Sequence, residues 1–461
     1  MQGVNLKHVL SPKSIAIIGA SREPGKIGNV LVKNLVDAKF SGKIFPVNPS
    51  AESIYGLKCY SDVREIPGTV DLAIIAIHAE LVPEALTESG KKGVKGAIVI
   101  SGGFSEAGKP ELEKELAKAA KKFGITLIGP NCLGVVNPKE KMDAIFIPTY
   151  KMERPNEGGI AFVKQSGAIG SMILDVVARE GFGVSKFISY GNAAAVDETD
   201  ALEFLANDAE TNIVVLYIEG VKRGIEFFKA TKKLSKRKPL VVIKAGVTEK
   251  GAAAAKSHTA ALAGSYAAYR AVFKQNRLIE ARSLDEMFDY AKIFTTQPRC
   301  TGDRVAVITN GGGMGVLATD ALVEEGLRLA EFSPETRKLL RKTMPPLVKD
   351  ENPLDLVGDA DAERFEAAIK AAYEDSGVDA VIVSTLFQRV SLDSHVVDVI
   401  INVASRKKKP LINITLGGEY TETQRRALES SGVPSYTSPT SAARSLKKLV
   451  DYSRFVSGKK N

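Results

Sequence analysis

The stretch SIAIIGASREPGKIGNV, residues 14–30, decides how the rest of the chain is read. Apolar residues run up to Gly19, a loop of small and charged residues follows, and from Ile27 the pattern becomes helical. A short apolar strand closed by glycine and followed by a helix opens a βαβ unit, whose parallel sheet is buried on both faces. The alternation continues through KIFPVN (43–48), LAIIAI (72–77), GAIVIS (96–101) and ITLIG (125–129). These segments predict one α/β domain over residues 1–136.

Two more series follow. The stretch 137–158, with three prolines and weak periodicity, reads as a linker. IAFV (160–163), VSKFISYG (184–191), NIVVLYIEG (212–220) and PLVVIKAG (239–246) build a second domain over 159–296, closed by the helical stretch SLDEMFDYAKIF (283–294). After a linker at 297–303, RVAVITNGGG (304–313), DAVIVST (379–385), PLINITLGG (410–418) and VPSYTS (433–438) build a third over 304–461. The second and third domains open alike, GGIAFVKQSGAIGSMILDVV and DRVAVITNGGGMGVLATDAL: a strand, a turn of tiny residues, then a helix. The N–H groups at such a helix start lack intrahelical acceptors and the dipole favours anions, so each turn is either a phosphate cradle or a tight βα closure.

Composition excludes several classes. Of 461 residues, 44% are hydrophobic and 25% charged, the balance of a globular protein of several domains. No apolar run reaches the roughly 18 residues of a membrane span, and MQGVNLKHVLSPKS lacks a secretion signal's apolar core, so a cytoplasmic, unanchored protein is expected. Cys59, Cys132 and Cys300 stand far apart without a CxxC pair, and no metal site is expected. The basic runs KKLSKRK (232–238) and RKKK (406–409) behind the net charge of +9 each end at a proline before an apolar strand, where lysines complement a helix C-terminus. With no Trp and no nucleic-acid motif, small anions rather than nucleic acids are the expected partners.

The first glycine loop is not an NAD fingerprint. Its glycines fall at 19, 25 and 28, a longer spacing than GxGxxG, and the second strand ends in Asn48 where an NAD site places an acid. A neutral strand end with Lys26 and Lys43 nearby suits a nucleotide carrying extra phosphate, coenzyme A or NADP.

GASREPGKIGN (19–29), GPNCLG (129–134), QSGAIG (165–170), LYIEG (216–220), KSHTAALAGS (256–265) and ITNGGGMGV (308–316), in this order, resemble the α subunit of NDP-forming acyl-CoA synthetases. The likeness is to the archaeal ADP-forming acetyl-CoA synthetase type, within the succinyl-CoA synthetase superfamily, and runs from about residue 8 to residue 455. It implies an α/β chain with a Rossmann-like CoA-binding domain followed by two flavodoxin-like ligase domains. It also implies that phosphate attacks an acyl-CoA to give an acyl phosphate, whose phosphoryl group passes to a histidine and then to ADP. No ATP-grasp sequence is found here, so a separate β subunit, in an α2β2 hetero-oligomer, is expected to hold the nucleotide and Mg2+.

Carried over by motif, His258 is the phosphorylated histidine and Glu219 the acid that holds its imidazole; an acceptor on the second ring nitrogen fixes the tautomer and stabilises the cation. Ser166, Gly167 and Ala168, with Gly312, Gly313 and Met314, are the expected phosphate contacts. Coenzyme A is assigned Gly19, Ala20, Ser21, Lys26, Gly28, Asn48 and Pro49, and Ser101, Gly102, Gly103 and Phe104 after the fourth strand, with Asn131 near the thioester.

The chain departs from the family at Ala260, where relatives carry glycine, at His78, where they carry proline, and at Ala193 and Ala195, where they often carry lysine and an acid. Two rival readings are a CoA-responsive regulatory protein with an inert histidine and an NADP-linked oxidoreductase.

Overall fold

The computed structural model describes residues 4–259 and 265–458, and of residues 255–259 the backbone alone. The chain divides into two compact units, Met1–Arg282 and Ser283–Asn461.

The first unit holds two large sheets. Strands β1 (Ser14–Ile18) and β2 (Lys43–Val47) are followed by a small hairpin of β3 (Ser53–Ile54) and β4 (Leu57–Lys58), then by β5 (Leu72–Ile75), β6 (Gly96–Val99) and β7 (Thr126–Ile128). The five long strands pair in parallel in the order β2-β1-β5-β6-β7, and β1, β5, β6 and β7 are buried throughout, as their unbroken apolar runs require. The winding direction reverses between β1 and β5. Gly19, just beyond β1 at φ +90°, stands so close to the Ala76 carbonyl beyond β5 that a Cβ there would collide with it.

The second sheet comprises β8 (Gly134–Asn137), β9 (Met142–Ile145), β10 (Glu157–Lys164), β11 (Val184–Ser189), β12 (Ile213–Ile218), β13 (Leu240–Lys244) and β14 (Ile279–Ala281), ordered β14-β13-β12-β10-β11-β8-β9. It is parallel except at β8, which runs antiparallel to both β11 and β9. Winding reverses between β10 and β12.

The stretch 137–158, read as a linker, contains the second strand of the β8-β9 hairpin. Met142 to Ile145 are buried, and the segment is tied to the first sheet's helix Ile27–Asp37: Asn34 Nδ2 donates to the carbonyls of Ile145 at 2.7 Å and Ile147 at 3.0 Å. Arg154 Nε binds Asp143 at 2.7 Å behind it. Four residues per strand, flanked by Pro138 and Pro148, are too few to show a period, so the pairing was invisible in the pattern.

The third sheet forms the core of the second unit: β15 (Arg304–Thr309), β16 (Arg328–Leu329), β17 (Leu354–Asp355), β18 (Ala380–Ser384), β19 (Leu411–Ile414) and β20 (Ser435–Tyr436), ordered β16-β15-β18-β19-β20, with β17 also on β15. The helix Leu284–Thr296, read as closing the domain before it, falls in this compact unit and packs against its other elements. Glu286 pairs with Arg444 at 2.7 Å, Lys292 with Glu429 at 3.0 Å, and Tyr436 Oη donates to the Asp289 carbonyl at 3.3 Å. Its apolar stripe announced a buried face but not which sheet would cover it. No described helix is long and apolar enough to cross a membrane.

Candidate active site

Ligands of doubly wound sheets sit at the carboxyl ends of strands where the winding reverses. At the first such point a cleft of about 510 Å³ is lined by Gly19, Ile27, Ala76 to Ala79, Leu81, Ile100, Ser101 and Gly102. A second cavity, of about 600 Å³, lies beyond the carboxyl ends of β10 and β11 and is lined by Glu106, Asn131, Cys132, Gln165, Ser166, Gly167, Ala168 and Asn192 among others. Ile100 lines both, so the two hollows of the first unit share a wall.

The cleft gathers Gly19, Ser101 and Gly102 from the expected CoA set and adds His78, whose backbone caps the turn Ala79–Leu81. Other members build the loop instead. Gly28 is buried, and a Cβ on it would overlap the Gly19 carbonyl, so this glycine lets the helix Ile27–Asp37 sit on the turn. Ser21 Oγ accepts from Glu23 N at 3.1 Å, and Ala20 is buried. The Asn48 amide is committed on both sides: Nδ2 donates to the Ala20 carbonyl at 2.7 Å, and Oδ1 accepts from Ser50 N at 2.8 Å, just past Pro49. Lys26 is exposed at the head of the helix, and Arg22, not singled out in the sequence, crosses to the Ser50 carbonyl at 3.2 Å. Phe104 does not line the cleft; its ring is fully buried in the apolar core.

In the cavity, Ser166 caps the helix Gly167–Arg179, its Oγ accepting from Ile169 N at 3.5 Å. Gln165 spans the reversal point, its Oε1 accepting from Glu219 N at 3.0 Å and Gly220 N at 3.3 Å. That bridge sets the buried Glu219, one residue past β12, beside the cradle. Tyr217 Oη donates to Glu219 Oε1 at 3.4 Å, and Lys244 Nζ donates to the Glu219 carbonyl at 2.8 Å and to that of Ala245. Burial holds the Lys244 amine below its ordinary value despite the nearby Glu219 charge.

Asn131, at φ +56°, lines the cavity, and its N–H donates to the Ser101 carbonyl at 2.9 Å. Its amide donates to Asn192 Oδ1 at 3.2 Å, and Asn192 Nδ2 donates to Glu106 Oε2 at 2.5 Å and Glu113 Oε2 at 3.1 Å. Glu106 also accepts from Gly103 N at 2.6 Å and Phe104 N at 3.2 Å. Burial raises its pKa, but Asn192 and these two amides outweigh burial and hold the carboxyl below its usual value. Glu106 and Asn192 were both missed in the sequence.

His258 lies in the helix Glu249–Thr259, which packs against the turn Ser105–Ala107; its side chain, and Ala260 entirely, lie outside the described residues. Lys222 Nζ, from a different position, reaches the carbonyls of Asn192 at 2.9 Å and Ala193 at 3.2 Å. In the second unit, Gly312, Gly313 and Met314 open the helix Gly312–Glu324 at the reversal between β15 and β18. A Cβ on Gly312 would stand 2.7 Å from the Asp355 carboxylate. Among the described residues no cluster of His, Cys, Asp and Glu could hold a metal.

Fold and site define an α/β protein built from a coenzyme A-binding domain and ligase-type flavodoxin-like domains. Family models match accordingly: a CoA binding domain over residues 13–138, a succinyl-CoA ligase like flavodoxin domain over 157–294 and a ligase-CoA domain over 305–444. The α subunit of acetate–CoA ligase [ADP-forming] II of Pyrococcus furiosus is 40% identical over 98% of this chain and 99% of its own length. Acetate–CoA ligase [ADP-forming] I of Archaeoglobus fulgidus is 42% identical over 97% of this chain, which spans 64% of that longer protein. The solved structure of dinucleotide-forming acetyl-coenzyme A synthetase 1 of Ca. Korarchaeum cryptofilum, in complex with phosphate and ADP, is 35% identical and matches with a TM-score of 0.92 over 99% of this chain and 98% of its own. The chain belongs to the NDP-forming acyl-CoA synthetase family.

Proposed function

We propose that this chain is the α subunit of an ADP-forming acyl-CoA synthetase, acting on acetyl-CoA or a related acyl-CoA: acyl-CoA + Pi + ADP = acid + CoA + ATP. The observation that carries it is the shared wall at Ile100, which sets a CoA-type cleft against a phosphate-type cradle and the buried Glu219 within one compact unit.

The cleft between β1 and β5 takes the pantetheine arm of coenzyme A, with Gly19, Ser101 and Gly102 on its walls and the cations Lys26 and Arg22 near its loop for the phosphates. The thioester then reaches the cavity beside Asn131. A phosphate on the Ser166, Gly167 and Ala168 N–H groups attacks the carbonyl carbon, the C–S bond breaks, and CoA leaves as a thiolate that takes up a proton. His258 then accepts the phosphoryl group from the acyl phosphate, releasing the carboxylate, while Glu219 receives the hydrogen bond of the other ring nitrogen and stabilises the cation. Gly312, Gly313 and Met314 enter this reading as the chain's second anion-binding turn.

ADP and Mg2+ are assigned to an ATP-grasp β subunit, with α2β2 as the expected assembly and the cytoplasm as the expected location. The α-subunit name of the Pyrococcus relative supports a partner. The oxidoreductase alternative has no counterpart among the matched family models and relatives, which are CoA-binding and ligase domains.

The test is ATP formation from acetyl-CoA, phosphate, ADP and Mg2+ by this chain mixed with an ATP-grasp β subunit. Turnover that His258→Asn abolishes supports the reading; a His258→Asn chain as active as wild type sinks the carrier role. Reversible CoA binding without turnover on any acyl-CoA would select the regulatory protein.

A further inference from the structure

A phosphate in the cradle carries one to two negative charges, yet among the described residues the cavity lining contains no lysine or arginine, and Glu106 is the one charged side chain there. A buried amine lies one layer deeper. Lys164, the last residue of β10, is 1% exposed, and its Nζ donates to the Ser166 carbonyl at 3.1 Å and the Gly167 carbonyl at 3.4 Å. It stands 4.4 Å from the centroid of the Phe187 ring and pairs with no carboxylate among the described residues. Gly170 makes the room: a Cβ there would overlap the amine.

We propose that Lys164 is the buried counter-cation and positioning residue of the phosphate cradle, which deepens the proposed function and rests on its phosphate site. The Ser166 carbonyl shares a peptide group with the Gly167 N–H, and the Gly167 carbonyl shares one with the Ala168 N–H. These N–H groups are first-turn donors that the helix leaves without intrahelical acceptors. A cation on the carbonyl side of a peptide polarises it and strengthens the donor on the other side. Lys164 thereby loads the two N–H groups assigned to phosphate while staying out of the anion's reach. Burial disfavours the charged amine and holds it well below the ordinary lysine value; an anion bound in front opposes that shift and favours the proton on Lys164.

Holding the turn does not in itself need a charge. At the matching position of the second unit, Thr309 Oγ1 donates to the Gly311 carbonyl at 3.2 Å, the same clamp made with a neutral hydroxyl.

The experiment measures inorganic phosphate and CoA affinity by calorimetry on the full chain, for wild type, Lys164→Met and Lys164→Thr. Methionine keeps the packing and threonine copies the neutral clamp. Both variants should keep CoA affinity while phosphate affinity falls at least about tenfold, the scale of losing a charge-assisted contribution. Variants that bind phosphate like wild type overturn the role of Lys164 and leave the site standing. A wild-type chain that binds no phosphate at all overturns the site and this role with it. Should neither variant fold, 15N-lysine spectra of the wild-type chain decide: phosphate saturation should shift the Lys164 Nζ resonance, and an unmoved resonance with phosphate bound contradicts the proposal.

Discussion

The turns VKQSGAIG (163–170) in the first unit and ITNGGGMG (308–315) in the second share one bonding plan. Gln165 Oε1 accepts from the N–H groups of Glu219 and Gly220 beyond the neighbouring strand; Asn310 Oδ1 accepts from Leu386 N at 2.9 Å, likewise beyond the neighbouring strand. Lys164 holds the Ser166 carbonyl, and Thr309 holds that of Gly311. The helix then passes over the strand at Gly170 in one case and Gly315 in the other. They differ in the cap, Ser166 against Gly311, in the clamp, a buried amine against a hydroxyl, and in the acid nearby. Glu219 is bridged to the first turn, whereas Asp355 lies against the second at the position a side chain on Gly312 would take. One backbone device thus has two settings, a buried amine with the buried Glu219 at the first turn and a hydroxyl with Asp355 at the second, and the proposed histidine carrier is assigned to the first.

Breaking the acid of the first turn should have the largest effect. Glu219→Gln should lower phosphoryl transfer about hundredfold, the scale of a lost acid–base or orienting partner, with CoA affinity unchanged; steady-state rates and CoA binding check both halves. Next comes the clamp. Gly170→Ala forces the Lys164 amine out of its seat and should destabilise the first unit by about 2–3 kcal/mol in urea unfolding, as overpacking of a filled site does.

Acidity separates the units further. Glu198, first residue of the helix Glu198–Leu205 that Asp197 caps in the first unit, is pushed by burial up to about 7, with the Asp197 charge acting in the same direction. Its folded-state pKa lies above the unfolded value, so between pH 4.5 and 7 the folded state holds more protons, and stability falls as pH rises through that window. Thermal melts should show the first unit losing roughly 1–2 kcal/mol from pH 5 to pH 7.5, a slope that Glu198→Gln flattens. The smallest effect is expected for Gly315→Ala, whose Cβ would stand 3.2 Å from Thr309 Cγ2; below about 1 kcal/mol is expected in the same urea measurement.

Much of this was legible in the sequence. The apolar runs are long enough and cleanly bounded enough to give the three sheets, and the glycine turns mark where their winding reverses. Glu106 was not legible, because its place depends on bending back to the Gly103 and Phe104 amides and on Asn192, 86 residues further along the chain. Lys164 was equally hidden. A lysine ending an apolar strand reads as a charge reaching for solvent, and only Gly170 across the turn shows that it goes inward. At Phe104 the sequence shows proximity to Gly102 but not the direction of the ring, which is part of the core.

The most direct measurement of the central claim is the intact mass of this chain, under non-acidic conditions, after incubation with acetyl-CoA and phosphate beside a His258→Asn control. The account predicts one phosphate adduct, acid-labile and alkali-stable, on the wild-type chain and none on the control. An adduct of equal yield on both chains, or none on either with acetyl-CoA, larger acyl-CoAs and the β subunit supplied, would contradict it.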